Sequence, residues 1–275
     1  TVGVIMALFA LSAIRRLALP KPRLFVAAAA VASGVILCPV SNLALTGTFG
    51  FTPGGATFLF GRLVEDGLVK RYLDDQCPDP TIKLCDYRTT MPDIADDWLW
   101  GDTPLYKLGG WSAYEPEERR IILATLARYP LAHLTTAVTA TLSQFVSFAT
   151  EVSVDDNDPT FWSFKELIPQ WQPTLMAARQ QSQGFDVGPL NVIHVPVAGL
   201  AIAGLCLAML LRRRLGLAPE ATALCLVIVL ALLANAAICG IFSHPVDRYQ
   251  SRLALLAPFG IAILIARRRL QPASA

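Results

Sequence analysis

Charge is scarce in this 275-residue chain: only 16% of residues are Asp, Glu, Lys or Arg, against about a quarter in soluble domains. Histidine is scarcer still, and His133, His194 and His244 are too scattered to suggest a shared metal site. There is no glycine-rich phosphate loop after a strand, no GxSxG, no HExxH and no cysteine pairing of zinc spacing. Soluble nucleotide-binding and metalloenzyme readings therefore have no motif to rest on, and no cofactor is expected. What fills the chain instead is apolar: 54% hydrophobic residues and a mean hydropathy of +0.49, gathered into long blocks rather than spread with an amphipathic period.

The blocks predict helices over Thr1–Ile14, Leu24–Leu45, Val192–Leu211, Ala221–Phe242 and Arg252–Ala266. The expected class is an all-α membrane protein with about five transmembrane helices and a large, mainly helical periplasmic insertion. Residues 1–45 carry two of the helices, 46–190 the insertion, 191–269 the other three, and 270–275 a cytoplasmic tail. The first block lacks an initiating Met, a basic leader and a small-residue cleavage site. It reads as the remainder of a helix that begins upstream, which makes the chain the C-terminal part of a larger polytopic protein.

The last apolar run, Leu253–Ala266, is short. Fourteen helical residues cover about 21 Å of a roughly 30 Å hydrocarbon core, so Asp247-Arg248-Tyr249-Gln250-Ser251-Arg252 must be drawn toward the headgroups or the bilayer must thin. Charge at that depth calls for a function.

Arg15, Arg16, Lys21 and Arg23, then Arg212-Arg213-Arg214, then Arg267-Arg268-Arg269 fall on one side of the membrane if the five helices alternate. The positive-inside rule makes that side cytoplasmic. The segment left outside holds 19 of the 21 acidic residues and 11 of the 23 basic ones, a net charge of −8 against +10 elsewhere. An acidic exterior on a basic-footed base fits a bacterial inner-membrane protein with a periplasmic domain, and excludes nucleic acid as a partner. Membrane lipid and other membrane proteins are the expected partners.

Cys38, Cys206, Cys225 and Cys239 lie in apolar helices, where cysteine packs as a small hydrophobe. Cys77 and Cys85, in QCPDPTIKLCDYR, fall in the oxidising compartment across a proline-containing turn, and predict a disulfide.

Within the insertion, Phe58, Leu59, Leu63, Val64, Leu68, Tyr72 and Leu73 recur near helical spacing, interrupted by Gly61 and Gly67. Loop residues dominate from Cys77 to Gly110. Pro116, among Glu115, Glu117 and Glu118, suits the first turn of a helix ending at Tyr129. Leu131–Phe148 is expected to be an amphipathic helix on the outer membrane surface, with Leu131, Leu134, Val138, Leu142, Phe145 and Phe148 on one side and His133, Thr136, Thr139, Ser143 and Ser147 on the other. Asp155-Asp156-Asn157-Asp158 lacks the glycine and distant glutamate of a calcium loop. Phe161, Trp162, Phe164 and Trp171 form either a headgroup-level aromatic cluster or a core patch.

The candidate site is His244–Arg252. Arg248 and Arg252 lie four apart on a helix entering the membrane, at the depth of a lipid phosphate, and guanidinium forks match phosphate oxygens. Asp247 could orient one of them or act as a base. His244 and Tyr249 complete the lipid-phosphate-binding set; the competing role for the arginines and Tyr249 is interfacial anchoring.

Asp247, Arg248, Tyr249, Arg252 and Pro258 on a terminal helix, after a large exterior insertion, look like poorly characterised proteobacterial inner-membrane proteins. In outline the chain is also similar to the C-terminal half of GT-C glycosyltransferases. That resemblance implies glycosyl transfer from a polyprenyl-phosphate-linked sugar at the periplasmic face. The catalytic acid of such enzymes lies in an earlier exterior loop, so no catalytic residue carries over; in a complete chain Glu65 and Asp66 are the candidate bases. A surface-polysaccharide polymerase or ligase, and a non-catalytic assembly or transport subunit, are the alternatives.

Overall fold

The structure is a computed structural model that describes residues 24–52, 54–150, 158–182 and 186–270. Among these residues every regular element is helical. In chain order they are α1 (Leu24–Thr46), α2 (Gly55–Glu65), α3 (Leu68–Gln76), a 3₁₀ segment (Lys83–Thr90), α4 (Ala95–Trp100), α5 (Pro104–Lys107) and α6 (Gly110–Arg128). Then come α7 (Pro130–Val146), α8 (Asp158–Leu167), a 3₁₀ turn (Pro169–Trp171), α9 (Gln172–Ala177), α10 (Arg179–Ser182), α11 (Gly188–Leu210), α12 (Pro219–Phe242), α13 (Asp247–Ala254) and α14 (Leu256–Leu270).

Four helical stretches are long and apolar enough to cross a membrane: Ala28–Thr46 within α1, Gly188–Leu210, Pro219–Phe242 and Asp247–Arg268. They correspond to four of the five expected helices; the fifth, Thr1–Ile14, lies outside the described residues. The last stretch resolves the length problem. The charged hexapeptide is helical, so α13 and α14 together provide 22 residues, about 33 Å of rise. The seam at Leu255 has a cause in Pro258, which has no N–H to offer the Ala254 carbonyl four residues back.

The chain divides into two compact units. In the first, containing α1, the helical residues 198–231 and α14, small residues let backbones approach. A Cβ on Gly260 would meet Ile228 at 2.6 Å and Leu205 at 3.3 Å, and one on Gly204 would meet Ile261 at 3.2 Å. Ala198, Ala201, Ala208, Ala221 and Ala257 are buried there. Without a hydrophobic driving force between helices in lipid, this close packing is what holds spans together.

The second unit contains 54–197 and 232–254. Its core gathers Phe60, Leu63, Val69, Leu73, Leu84, Trp98, Leu105, Tyr114 and Ile121 from α2 through α6. The single periodic run expected over Phe58–Leu73 is two helices, split where Gly67 takes a left-handed φ of 71°. Gly61 has a packing reason: a Cβ there would stand 3.3 Å from the Trp98 ring and 3.4 Å from the Ala95 carbonyl, so α2 and α4 lie close. Gly54 is constrained twice, by a φ of 73° and by Trp111, whose ring would sit 2.5 Å from an added Cβ. Cys77 and Cys85 are bonded, and between them and Gly110 the expected loop contains three short helical segments.

Pro116 corrects the expected helix start. α6 begins at Gly110, so this proline is interior; the three glutamates lie beyond the first turn. Glu118 is fully buried, its Oε2 accepting the Thr57 hydroxyl (2.6 Å) and Oε1 the Trp98 indole N–H (3.3 Å). Burial pushes its carboxyl up to about 7.

Tyr129, the residue before Pro130, leaves the helical region at φ −126°, ψ 49°, and α6 and α7 meet at 102°. In α7, Leu131, Leu134, Val138, Leu142 and Val146 are 51–78% exposed. Thr139 and Ser143, expected on the opposite side, are exposed among them. The Thr139 hydroxyl turns back to the Thr135 carbonyl at 3.0 Å, so it asks nothing of its surroundings. Two polar groups of α7 do face inward: His133 reaches Thr125 Oγ1 (3.2 Å) and Gln144 is fully buried. Trp162 and Trp171 are exposed and stand apart from the core. Asp155–Asn157 lie outside the described residues.

Candidate functional site

The apolar helix α12 ends at Phe242, and Ser243-His244-Pro245-Val246 turns the chain into α13. Four side-chain amides and carboxylates pin this turn. Val246 N–H donates to Gln144 Oε1, and Gln144 Nε2 donates back to the Val246 carbonyl, both at 2.9 Å. Asp247 Oδ1 accepts the Ala149 N–H at 2.9 Å. Asn235 Nδ2 donates to the Tyr249 carbonyl (2.9 Å) and to Gln250 Oε1 (2.7 Å), while Gln250 Nε2 donates to the Leu232 carbonyl (3.0 Å). A Cβ on Gly240 would meet the Ala140 carbonyl oxygen at 2.6 Å, so the glycine admits α7 against the last turn of α12. Buried polar groups satisfied this completely specify one geometry.

Held by that turn, the His244 ring has only 15% of its side chain exposed and lies between two carboxylates. Nε2 is 3.2 Å from Asp96 Oδ1 and Nδ1 is 3.7 Å from Glu65 Oε2. The first is an ion-pair distance with the ring turned off the line of a good hydrogen bond. Glu65 is itself fixed: Oε1 accepts Arg62 Nη1 (2.6 Å) and Oε2 accepts the Ala95 N–H (3.1 Å). Arg62, 7% exposed, donates its other arm to Asp66 Oδ1 at 2.6 Å. The His244 imidazole, with a smaller contribution from Arg248, holds the Asp96 carboxyl below its ordinary range, whereas burial raises Asp66.

Of the residues expected to bind a lipid phosphate, Arg248, Tyr249 and Arg252 come together. The two guanidinium carbons lie 5.3 and 5.9 Å from the Tyr249 ring centroid, within cation–π range. Arg252 Nε donates to the Arg248 carbonyl (3.0 Å), and the Tyr249 hydroxyl meets Ser243 Oγ at 3.2 Å. Asp247 Oδ1 is hydrogen-bonded to the Ala149 backbone. His244 faces acids.

No known family, curated protein or solved structure matches this chain. The chemistry must therefore be read from the side chains. Carboxylate, imidazole and carboxylate run in sequence from Glu65 to Asp96, and Asp96 feels the charge of Arg248. Such an arrangement can accept and pass a proton next to a cationic patch. Among the described residues no group of three or more His, Cys, Asp and Glu is arranged to hold a metal. Glu65 and Asp66 were legible as acids without a partner. Asp96 and Arg62 were not, since no motif announces them; the only hint was Gly61, whose missing Cβ lets α4 approach α2.

Proposed function

We propose that this chain is part of a multi-pass bacterial inner-membrane protein that transfers a sugar from a polyprenyl-phosphate carrier at the periplasmic face, in the manner of GT-C glycosyltransferases. The observation that carries this reading is His244, set between Glu65 and Asp96 at the head of the membrane-going helix that bears Arg248 and Arg252. One end of the cluster suits a phosphate, the other a proton.

In the proposed step an acceptor hydroxyl oxygen attacks the anomeric carbon. The bond from that carbon to the phosphate oxygen breaks with its electron pair leaving on the phosphate, and the hydroxyl proton passes by way of the half-exposed Asp96 carboxylate to His244 Nε2. Glu65 and Asp96 orient the ring and stabilise the imidazolium that forms; Arg248 and Arg252 offset the charge left on the carrier phosphate.

The membrane placement has its own support. On α7 Leu131, Leu134, Val138, Leu142 and Val146 point outward while His133 and Gln144 turn inward, and the hydroxyls that share the outer face, such as Thr139, bond their own helix, as suits a helix lying in the outer headgroup boundary. The −8 and +10 charge split supports an exterior 46–190 and cytoplasmic basic clusters.

The test is turnover of a polyprenyl-phosphate-linked sugar by His244→Gln and Glu65→Gln variants at unchanged protein level. Loss of turnover in both supports the enzyme. Full turnover in His244→Gln would take His244 out of the chemistry, and no turnover by the parent, with loss of a membrane complex in the variants, would replace the enzyme with an assembly role.

A further inference from the structure

A second feature of the same unit adjoins Glu65 on its other side. A cleft of about 350 Å³ opens between the end of α2, the start of α3 and the segment that follows the 3₁₀ helix. Its polar walls are Glu65, Lys70, Asp74, Arg88 and Asp93, and Met91 contributes an apolar surface. Its volume falls at the small end of ligand sites.

The charges decide what it suits. Three carboxylates face two cations, and Arg88 and Asp74 already meet at 3.3 Å. The lining is thus slightly acidic, which disfavours a phosphate or other anion. A metal ion has no cluster of ligands to hold it among the described residues. Carboxylate acceptors alternating with ammonium and guanidinium donors match a ligand whose groups both donate and accept, that is, hydroxyls. An adjoining apolar surface matches the C–H face of a ring.

We infer that this cleft binds a neutral polyhydroxylated ligand, a saccharide. Resting on the glycosyl-transfer reading above, the inference assigns the sugar to the cleft and leaves the carrier phosphate to Arg248 and Arg252. Glu65 is the link: it lines the cleft, and its Oε2 lies 3.7 Å from His244 Nδ1. A saccharide hydroxyl in the cleft is recognised by the carboxylate that positions the proposed base.

The experiment compares a short-chain polyprenyl phosphate with the same lipid carrying a hexose, titrated into the full chain in one detergent and one salt. The sugar should tighten binding by about tenfold, the worth of one or two charge-assisted hydrogen bonds. Lys70→Ala and Asp93→Asn, both at exposed positions, should erase that increment and leave bare-lipid affinity within about twofold. Equal binding of both lipids by the parent, or an increment that survives both substitutions, overturns the cleft assignment. A parent that binds neither lipid overturns the carrier reading instead. In that case saturation-transfer NMR with methyl hexosides tests the cleft alone: transfer lost in Lys70→Ala supports it, and no transfer to the parent overturns it.

Discussion

Replacing Glu118 by Gln should stabilise the second unit at pH 8 and change it little at pH 5. The carboxyl is fully buried beneath Thr57 and Trp98, and burial raises it from 4.5 to about 7. A carboxyl raised in the folded state resists ionisation while its unfolded counterpart releases its proton, so stability falls as pH rises through the window from 4.5 to about 7. Below that window both states are protonated and the group contributes no pH dependence. Above it the accumulated cost is on the order of 3 kcal/mol, from about 1.4 kcal/mol for each pKa unit. Glutamine keeps the shape, accepts from the Trp98 indole and donates to the Thr57 oxygen. Its net gain at pH 8 should therefore be about 1–3 kcal/mol once imperfect rebonding is allowed for. The assay is urea unfolding followed by tryptophan emission, to which Trp98 contributes as the direct neighbour of the carboxyl. A Glu118→Gln variant that is equally destabilised at pH 5 and pH 8 would refute the reasoning, because it would make this a structural hydrogen bond without a proton penalty.

Serine at both Cys77 and Cys85 should lower the stability of the same unit by about 2.5 kcal/mol, the closure entropy of so short a loop, read by the shift in urea midpoint; an unchanged midpoint would remove the disulfide from the stabilising contacts. Gly54→Ala should cost about 1–3 kcal/mol, because the left-handed backbone and the Trp111 ring both oppose a Cβ, and wild-type stability would show that the ring shifts freely. Nitroxides at Leu134, Val138 and Leu142 in a lipid bilayer should respond to oxygen more than to a polar nickel complex, whereas dominant nickel access at all three would take α7 out of the membrane surface.

Apolar blocks longer than about twenty residues declare a span by composition alone, which is why α1, α11 and α12 are readable within a few residues of their ends. The disulfide was readable too, because the proline-containing turn between Cys77 and Cys85 suits closure. What sequence patterning missed depends on tertiary contact. Pro116 has every mark of a first-turn proline, yet α6 starts six residues earlier at Gly110. Thr139 and Ser143 look like a water-facing side, but a hydroxyl that bonds its own helix can share a face with leucine. At the site, Arg248 and Arg252 stood out because charge beside a short apolar run is conspicuous. Asp96 did not, since it lies 148 residues from His244 in the sequence and nothing in its neighbours Asp93 and Asp97 marks it as the acid that meets the imidazole.

The most direct test is binding of a polyprenyl phosphate to the parent, Arg248→Lys and Arg252→Lys in the same detergent and salt. Lysine keeps the charge and loses the fork. Each variant is expected to bind at least about fivefold more weakly, the loss of one charge-assisted hydrogen bond. Affinity equal to the parent in both variants would make the two arginines membrane anchors and contradict a carrier-phosphate site at the head of the last helix.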